Sequence, residues 1–420
     1  YQWLKILVLE GVSCHVRFQF RCRSSLRMSK ASIRVCVLGS GGFGTALGTV
    51  IARNGFQVTL LTRREEVAEA INTQHKNPSH LSEFKLPPLL AATTSAEEAL
   101  EKVSFIVHAI PVQSTDAFLE PLIPLIPPEA LFISTSKGLH SETLETMAEI
   151  VPRVLGRPQP MAFMSGPTFA KELMDMNPSG CVVAASDQET AEKASSVFHC
   201  NYLTCYTSTD VIGVEIGGAL KNVYALGAGA VEGMGLGSNT LAFLVTIACT
   251  EMNMVAVSLG AAPNTMSSLA GIGDLMLTCM GGASRNKAVG MRIGKGESLK
   301  KILDSRANGL EGVAEGVATA PAVRRLIERH GISAKVACGI AAVIAGEARA
   351  KETLLMLMER PITQDPSIRP HILKVPVTET AEPTSVNELQ DRVAQLEVRN
   401  AALESQLKAL RSEKKHEASN

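Results

Sequence analysis

Short apolar runs rich in β-branched residues alternate with helical patterns from Ile33 to about Asp210. The runs are 33–38 (IRVCVL), 57–61 (QVTLL), 103–110 (VSFIVHAI), 131–135 (LFIST), 161–164 (MAFM) and 180–185 (GCVVAA). They are nearly continuous rather than alternating. Parallel strands covered by helices on both faces read this way. The alternation of strand and helix predicts a doubly wound α/β domain over residues 31–210. After Asp210 the pattern changes. Residues 211–358 are rich in Ala, Gly, Leu, Met and Lys at helical spacing, which predicts an all-helical second domain.

Three further segments differ in kind. Residues 1–30 carry Lys5, Arg17, Arg21, Arg23, Arg27 and Lys30 against a single acid, Glu10. That composition fits an organellar transit peptide, or else a leader upstream of a working start at Met28. Pro361, Pro366, Pro370, Pro376 and Pro383 mark a linker over 359–384. Beyond it, Leu389, Leu396, Leu403 and Leu410 recur every seven residues, with Val386, Val393, Asn400 and Leu407 three residues before each. Four heptads predict a short parallel coiled coil over 385–415, and hence a homodimer. A single amphipathic helix is the alternative. A DNA-binding zipper is excluded, because Thr378-Glu379-Thr380-Ala381-Glu382-Pro383 precedes the heptads where a basic helix would be needed.

Composition narrows the function classes. The chain has 420 residues, 45% hydrophobic and 20% charged, so it has material for two or three packed domains. Its formal net charge is zero, which argues against nucleic acid or an acidic membrane surface as an obligatory partner. No membrane span is expected. The nine cysteines are odd in number and form no CxxC. No Cys and His fall at zinc-site spacing, so reduced thiols and no metal are expected.

The chemistry begins at Gly39-Ser40-Gly41-Gly42-Phe43-Gly44, between the first strand and a helical run over 45–54. Gly39 permits a tight turn, Gly41 lets backbone approach a pyrophosphate, and Gly44 lets helix and strand pack closely. The helix N-terminus then faces the phosphates. The second strand runs into Thr62-Arg63-Arg64. An acidic residue there would suit the ribose of NAD, whereas arginines suit the 2′-phosphate of NADP. NADP is therefore expected to be at least accepted.

Four more motifs follow in order: Ser136-Lys137-Gly138-Leu139, Ser165-Gly166-Pro167-Thr168-Phe169-Ala170, Gly217-Gly218-Ala219-Leu220-Lys221-Asn222-Val223, and Gly271-Ile272-Gly273-Asp274-Leu275 with Thr278-Cys279 and Ser284-Arg285-Asn286. In order and spacing, these five motifs resemble the bacterial-type NAD(P)-dependent glycerol-3-phosphate dehydrogenases. The resemblance covers about residues 33–355.

It implies a Rossmann-like domain joined to a helical substrate domain. It implies hydride transfer between sn-glycerol 3-phosphate and dihydroxyacetone phosphate, with NAD or NADP as cofactor. By carry-over, Lys221 is the catalytic acid/base, grouped with Lys137, Asp274 and Thr278. A lysine in this small, apolar stretch would have its pKa lowered by burial. Asp274 would raise it, and the two effects oppose. Gly166, Thr168, Asn222, Ser284, Arg285 and Asn286 would contact substrate, with Arg285 as a planar fork for the phosphate. Ser40, Phe43, Arg63, Lys137, Ala170, Arg285, Val313 and Glu315 would join the glycines at the cofactor.

Two positions depart from the pattern. Leu241 and Ile247 stand where the family commonly has cations. The rival readings are another sugar-phosphate or β-hydroxyacid dehydrogenase of the same plan, and a pseudoenzyme scaffold built on the coiled coil. A cytoplasmic location is expected, or a mitochondrion or plastid if the leader is a transit peptide.

Overall fold

A computed structural model of the chain describes residues 30–307 and 314–358, all within one compact unit. The leader up to residue 29, Val313, the linker and the heptads lie outside the described residues. Eight strands make one sheet: β1 (Arg34–Leu38), β2 (Gln57–Leu61), β3 (Leu90–Thr93), β4 (Phe105–His108), β5 (Leu131–Ser134), β6 (Met161–Ser165), β7 (Ser179–Ala185) and β8 (Leu203–Ser208). Their order is β3-β2-β1-β4-β5-β6-β7-β8, with the chain reversing direction across the sheet between β1 and β4. Helices α1 (Gly42–Arg53), α2 (Glu65–Gln74), α3 (Ala96–Leu100), α4 (Thr115–Leu119), α5 (Met147–Leu155), α6 (Ala170–Met174) and α7 (Gln188–Phe198) are interleaved with the strands. Strand residues alternate between two apolar clusters. Val35, Val37, Phe105 and Val107 join one, while Cys36, Leu38, Ile106 and Phe132 join the other. Burial on both faces accounts for the near-continuous apolar runs.

The sheet departs from expectation in two ways. The run at 180–185 is not a parallel neighbour of β6: β7 pairs antiparallel with it, Ser165 opposite Val182. The connection holds only the five-residue helix α6. A helix that short advances ~7.5 Å, too little to recross a five-residue strand of ~17 Å. The chain therefore turns back. Strands β3 and β8 were not expected. β3 is a four-residue Leu-Ala-Ala-Thr, and β8 is an edge strand of mixed polarity whose side chains are largely part-exposed.

From Val211 every described element is helical: α8 (Val211–Gly233), α9 (Ser238–Ser258), α10 (Asp274–Met280), α11 (Arg285–Gly294), α12 (Leu299–Ala307), α13 (Glu315–Arg329), α14 (Lys335–Ile344) and α15 (Ala350–Met358), with a π-helical turn at Leu269–Gly273 before α10. α9 is long and apolar enough to cross a membrane, with a mean hydropathy of 1.7. Its Leu244, Ala248, Met252 and Val255 pack in the helical core instead. Leu241 and Ile247 also lie on α9, part-buried against that core.

Helix α8 is the axis of this half, packed against α9, α10, α11 and α13 and, near its start, against β6 and β7. Its contact with α11 is backbone on backbone. A Cβ on Gly290 would overlap the carbonyl oxygen of Leu226, and one on Gly229 would overlap that of Lys287. Gly233 meets Met291 O and Gly294 meets Ala230 O in the same way. Two small-residue stripes, each with glycines four apart, thus set the distance between the helices. Gly290→Ala should force them apart and lower stability by ~1–3 kcal/mol, the usual range for overpacking. Chemical denaturation is the check. Gly282→Ala, where a Cβ meets nothing within 4 Å, should leave the midpoint in place. Equal midpoints for both variants would contradict the seam.

Candidate active site

The glycine motif follows β1 at the β1/β4 switch point, where the strand order reverses and doubly wound sheets open a crevice. Gly39 has φ of +105°, and a Cβ there would lie 2.8 Å from the Ile110 side chain. A Cβ on Gly44 would overlap Gly39 O, so the turn is closed on that side. Gly41 and Gly42 face nothing within 4 Å. That leaves backbone open at the N-terminus of α1, which starts at Gly42, three residues earlier than expected. The cradle fits a dinucleotide pyrophosphate.

Asn77 holds this loop and had no signal beyond an ordinary Asn-Pro turn. It is fully buried. Its amide donates to Ser40 O (2.9 Å) and Thr45 Oγ1 (2.8 Å), while its Oδ1 accepts from the Ser79 and His80 amides. Ser40 Oγ donates to Thr62 Oγ1 at 2.8 Å, tying the loop to the end of β2. Arg63 and Arg64 follow there, both exposed. Phe43 packs in part against the sheet core. His80 is held below the usual imidazole pKa by burial, and by the charges of Arg64 and Arg285.

The second cluster is ionic. α8 carries Lys221 and Asn222, the π-helical turn delivers Asp274 at the start of α10, and Thr278 follows one turn later. Lys137 comes from the loop after β5, and Gly166 from the end of β6. Asp274 is 1% exposed and Lys221 7%. Lys221 Nζ donates to Asp274 Oδ1 and, at 3.0 Å, to Thr278 Oγ1. Lys137 Nζ donates to Asp274 Oδ2 at 2.6 Å and to Gly166 O at 3.3 Å. The Thr278 hydroxyl donates to Asp274 O at 2.6 Å. One carboxylate therefore takes a lysine on each oxygen.

The electrostatics resolve the opposition left open by the residues alone. Burial pulls the Lys221 ammonium down to about 8, against the raising effect of Asp274 and with help from Lys137. Burial would raise the Asp274 carboxyl, but Lys137 and Lys221 together hold it below its usual value.

A third set lies beside this one. Ser284 caps α11, accepting from Lys287 N at 3.2 Å. Arg285 is exposed at the first helical position. Asn286, buried, donates to Asn222 Oδ1 (3.0 Å) and accepts from Gly316 N (2.9 Å). Glu315 opens α13, its carboxyl raised by burial against the pull of Arg285, Lys137 and Lys221. Thr168 Oγ1 donates to Gly166 O at 3.2 Å, and Ala170 starts α6. Hydrogen bonds thus join Lys137, Lys221, Asp274, Thr278, Gly166 and Thr168, and separately Asn222 and Asn286, with Val313 outside the described residues.

Two further residues touch the cluster or its loop. Ser165 Oγ reaches Asp274 Oδ2 at 3.5 Å, and its place beside Gly166 could have flagged it. Gln113 clamps the Lys137 loop, donating to Leu139 O (2.7 Å) and accepting from Ser141 N (2.8 Å).

A glycine cradle at the switch point of a doubly wound sheet, with a buried lysine–carboxylate cluster on an adjoining helical half, defines an NAD(P)-dependent oxidoreductase. Family models narrow it. The N-terminus of NAD-dependent glycerol-3-phosphate dehydrogenase matches residues 34–191 and its C-terminus residues 210–355. The chain belongs to this family.

Among its relatives, chloroplastic glycerol-3-phosphate dehydrogenase [NAD(+)] 2 of Arabidopsis thaliana is 42% identical over 344 residues, 81% of each chain. Glycerol-3-phosphate dehydrogenase [NAD(P)+] of Leptospira biflexa is 37% identical over 335 residues, 79% of this chain and 99% of that one. The crystal structure of glycerol-3-phosphate dehydrogenase from Coxiella burnetii superposes with a TM-score of 0.73 at 28% identity, covering 78% of this chain and 99% of that one.

Asn77→Asp replaces a donor facing Ser40 O with an anion. It should raise the Michaelis constant for the dinucleotide on the order of tenfold, the equivalent of ~1.4 kcal/mol, with turnover at saturation largely kept. An unchanged constant in steady-state kinetics would remove Asn77 from the cofactor loop.

Proposed function

We propose that the chain interconverts dihydroxyacetone phosphate and sn-glycerol 3-phosphate, with Lys221 as the acid/base. The observation that carries this reading is the buried Lys221–Asp274–Lys137 cluster, with the Lys221 ammonium drawn down to about 8. A group of that pKa can give up and regain a proton near neutral pH. The reduced nicotinamide, when bound, supplies the hydride.

The chain's own residues do the rest. Lys221 hands its proton to the carbonyl oxygen, and Asp274 and Thr278 hold its Nζ in place. Lys137 adds positive charge where the oxygen becomes negative. Arg285, Ser284, Asn286 and Asn222 hold the phosphate, with Gly166 and Thr168 lining the substrate. Gly39, Ser40, Gly41, Gly42, Phe43, Gly44, Arg63, Ala170, Val313 and Glu315 serve the cofactor. Arg63 at the end of β2 supports acceptance of NADP beside NAD.

The heptads at 385–415 support a homodimer. The place of action is proposed as cytoplasmic. A plastid is the second reading, favoured by the basic leader and by the word chloroplastic in the Arabidopsis thaliana and Oryza sativa relatives' names.

Ketone reduction needs the ammonium form of Lys221, so the rate should fall as pH rises through about 8. Oxidation of the alcohol needs the free amine, so that rate should rise across the same range. Lys221→Ala should lower turnover by ~10²–10⁴-fold in both directions. The assay is oxidation of NADH and of NADPH dependent on dihydroxyacetone phosphate. Folded protein inactive with both cofactors would overturn the reading.

A further inference from the structure

Cys181 and Cys205 occupy matched positions on the neighbouring parallel strands β7 and β8. Their Sγ atoms lie 3.5 Å apart. Neighbouring strands are spaced ~4.8 Å apart, within the Cα separations that disulfides span. Cys181 is fully buried, under the layer that includes α1, α6 and α7. Cys205 sits on the edge strand and is part-exposed.

Gly166 rests on the Cys181 member of this pair. Its φ is +147°, and a Cβ there would lie 2.7 Å from Cys181 Cα. Its carbonyl oxygen is the one that accepts from Lys137 Nζ. The chain therefore runs from two touching thiols, through one glycine, to the lysine cluster.

We propose that Cys181 and Cys205 form a modification site for a disulfide-bearing oxidant, and that closing their cross-strand bond weakens substrate binding through Gly166. The Cys205 thiolate attacks the oxidant's disulfide, forming a mixed disulfide and releasing one thiol. Cys181 then loses its proton and attacks the Cys205 sulfur, expelling the second thiol. Two protein thiols are oxidised and one disulfide is reduced. Cys205 acts first because it can be reached. Cys181 resolves, and its contact with the Cys205 sulfur together with its burial raises its pKa and makes that second step the slow one. To bond, the sulfurs must close from 3.5 Å to ~2.05 Å. Part of that travel falls on Cys181, and moving it toward β8 draws it away from Gly166, which packs on its backbone from the β6 side.

Full-length protein is treated with oxidised glutathione, alkylated, digested and mapped, with kinetics measured in parallel. The expected map shows a Cys181–Cys205 cross-linked peptide. The Michaelis constant for dihydroxyacetone phosphate should rise several-fold and return with dithiothreitol. Cys205→Ser should remove both effects while the reduced enzyme keeps its turnover. A Cys205 that stops at the glutathione adduct, or that bonds to nearby Cys200, would overturn the site. A Cys181–Cys205 bond with unchanged kinetics would overturn the coupling. The kinetic arm rests on Lys137 facing substrate and the peptide map does not, so the two readings fail separately.

Discussion

Asp274 is an anion in a nearly dry interior, and a lone carboxylate there would take up a proton. It stays charged because Lys221 and Lys137 each approach one of its oxygens. The dependence runs both ways. Lys221 without Asp274 would lose more of its proton affinity to burial, because the carboxylate is the charge that raises it. Removing Asp274 would leave both lysines without their shared anion in low dielectric, which is more harmful than removing all three. The cluster is therefore a single unit.

Much of the fold serves to bring those three side chains together. Lys137 arrives on a loop after β5, Lys221 from the middle of the longest helix among the described residues, and Asp274 from a π-helical turn. α8 can reach the sheet because it packs on β6 and β7. The same helix holds α11 through backbone contact at Gly229, Gly233, Gly290 and Gly294. That contact sets Asn286 against Asn222, one residue from Lys221. The N-terminus of α11, proposed to hold the phosphate, and Lys221, the proposed acid/base, are thus placed by one crossing.

Much of this was legible in the residues. Runs buried on both faces, such as IRVCVL and LFIS, announce central strands, and five motifs in order announce the site. What was hidden is pairwise. The period of VVAA gives burial but not direction, so the antiparallel turn of β7 depended on the length of α6. Leu-Ala-Ala-Thr is too short and too poor in β-branched residues to stand out as a strand. The glycines of α8 and α11 are visible at four-residue spacing, but nothing in either stripe names its partner. Asn77 acts on a loop more than 30 residues away. The sharing of one carboxylate by two lysines is likewise a property of the assembled fold. Leu241 and Ile247, in place of cations, lie on α9 and pack against the helical core.

Asp274 keeps the proton affinity of Lys221 above where burial alone would leave it. The direct measurement is the pH dependence of ketone reduction in Asp274→Asn, at saturating cofactor. The wild-type limb should lie near the Lys221 value of about 8. With the carboxylate neutralised and Lys137 still charged, the limb should move to lower pH, alongside a loss in rate. A limb that stays in place while the rate falls would show that Asp274 acts on something other than the lysine's proton.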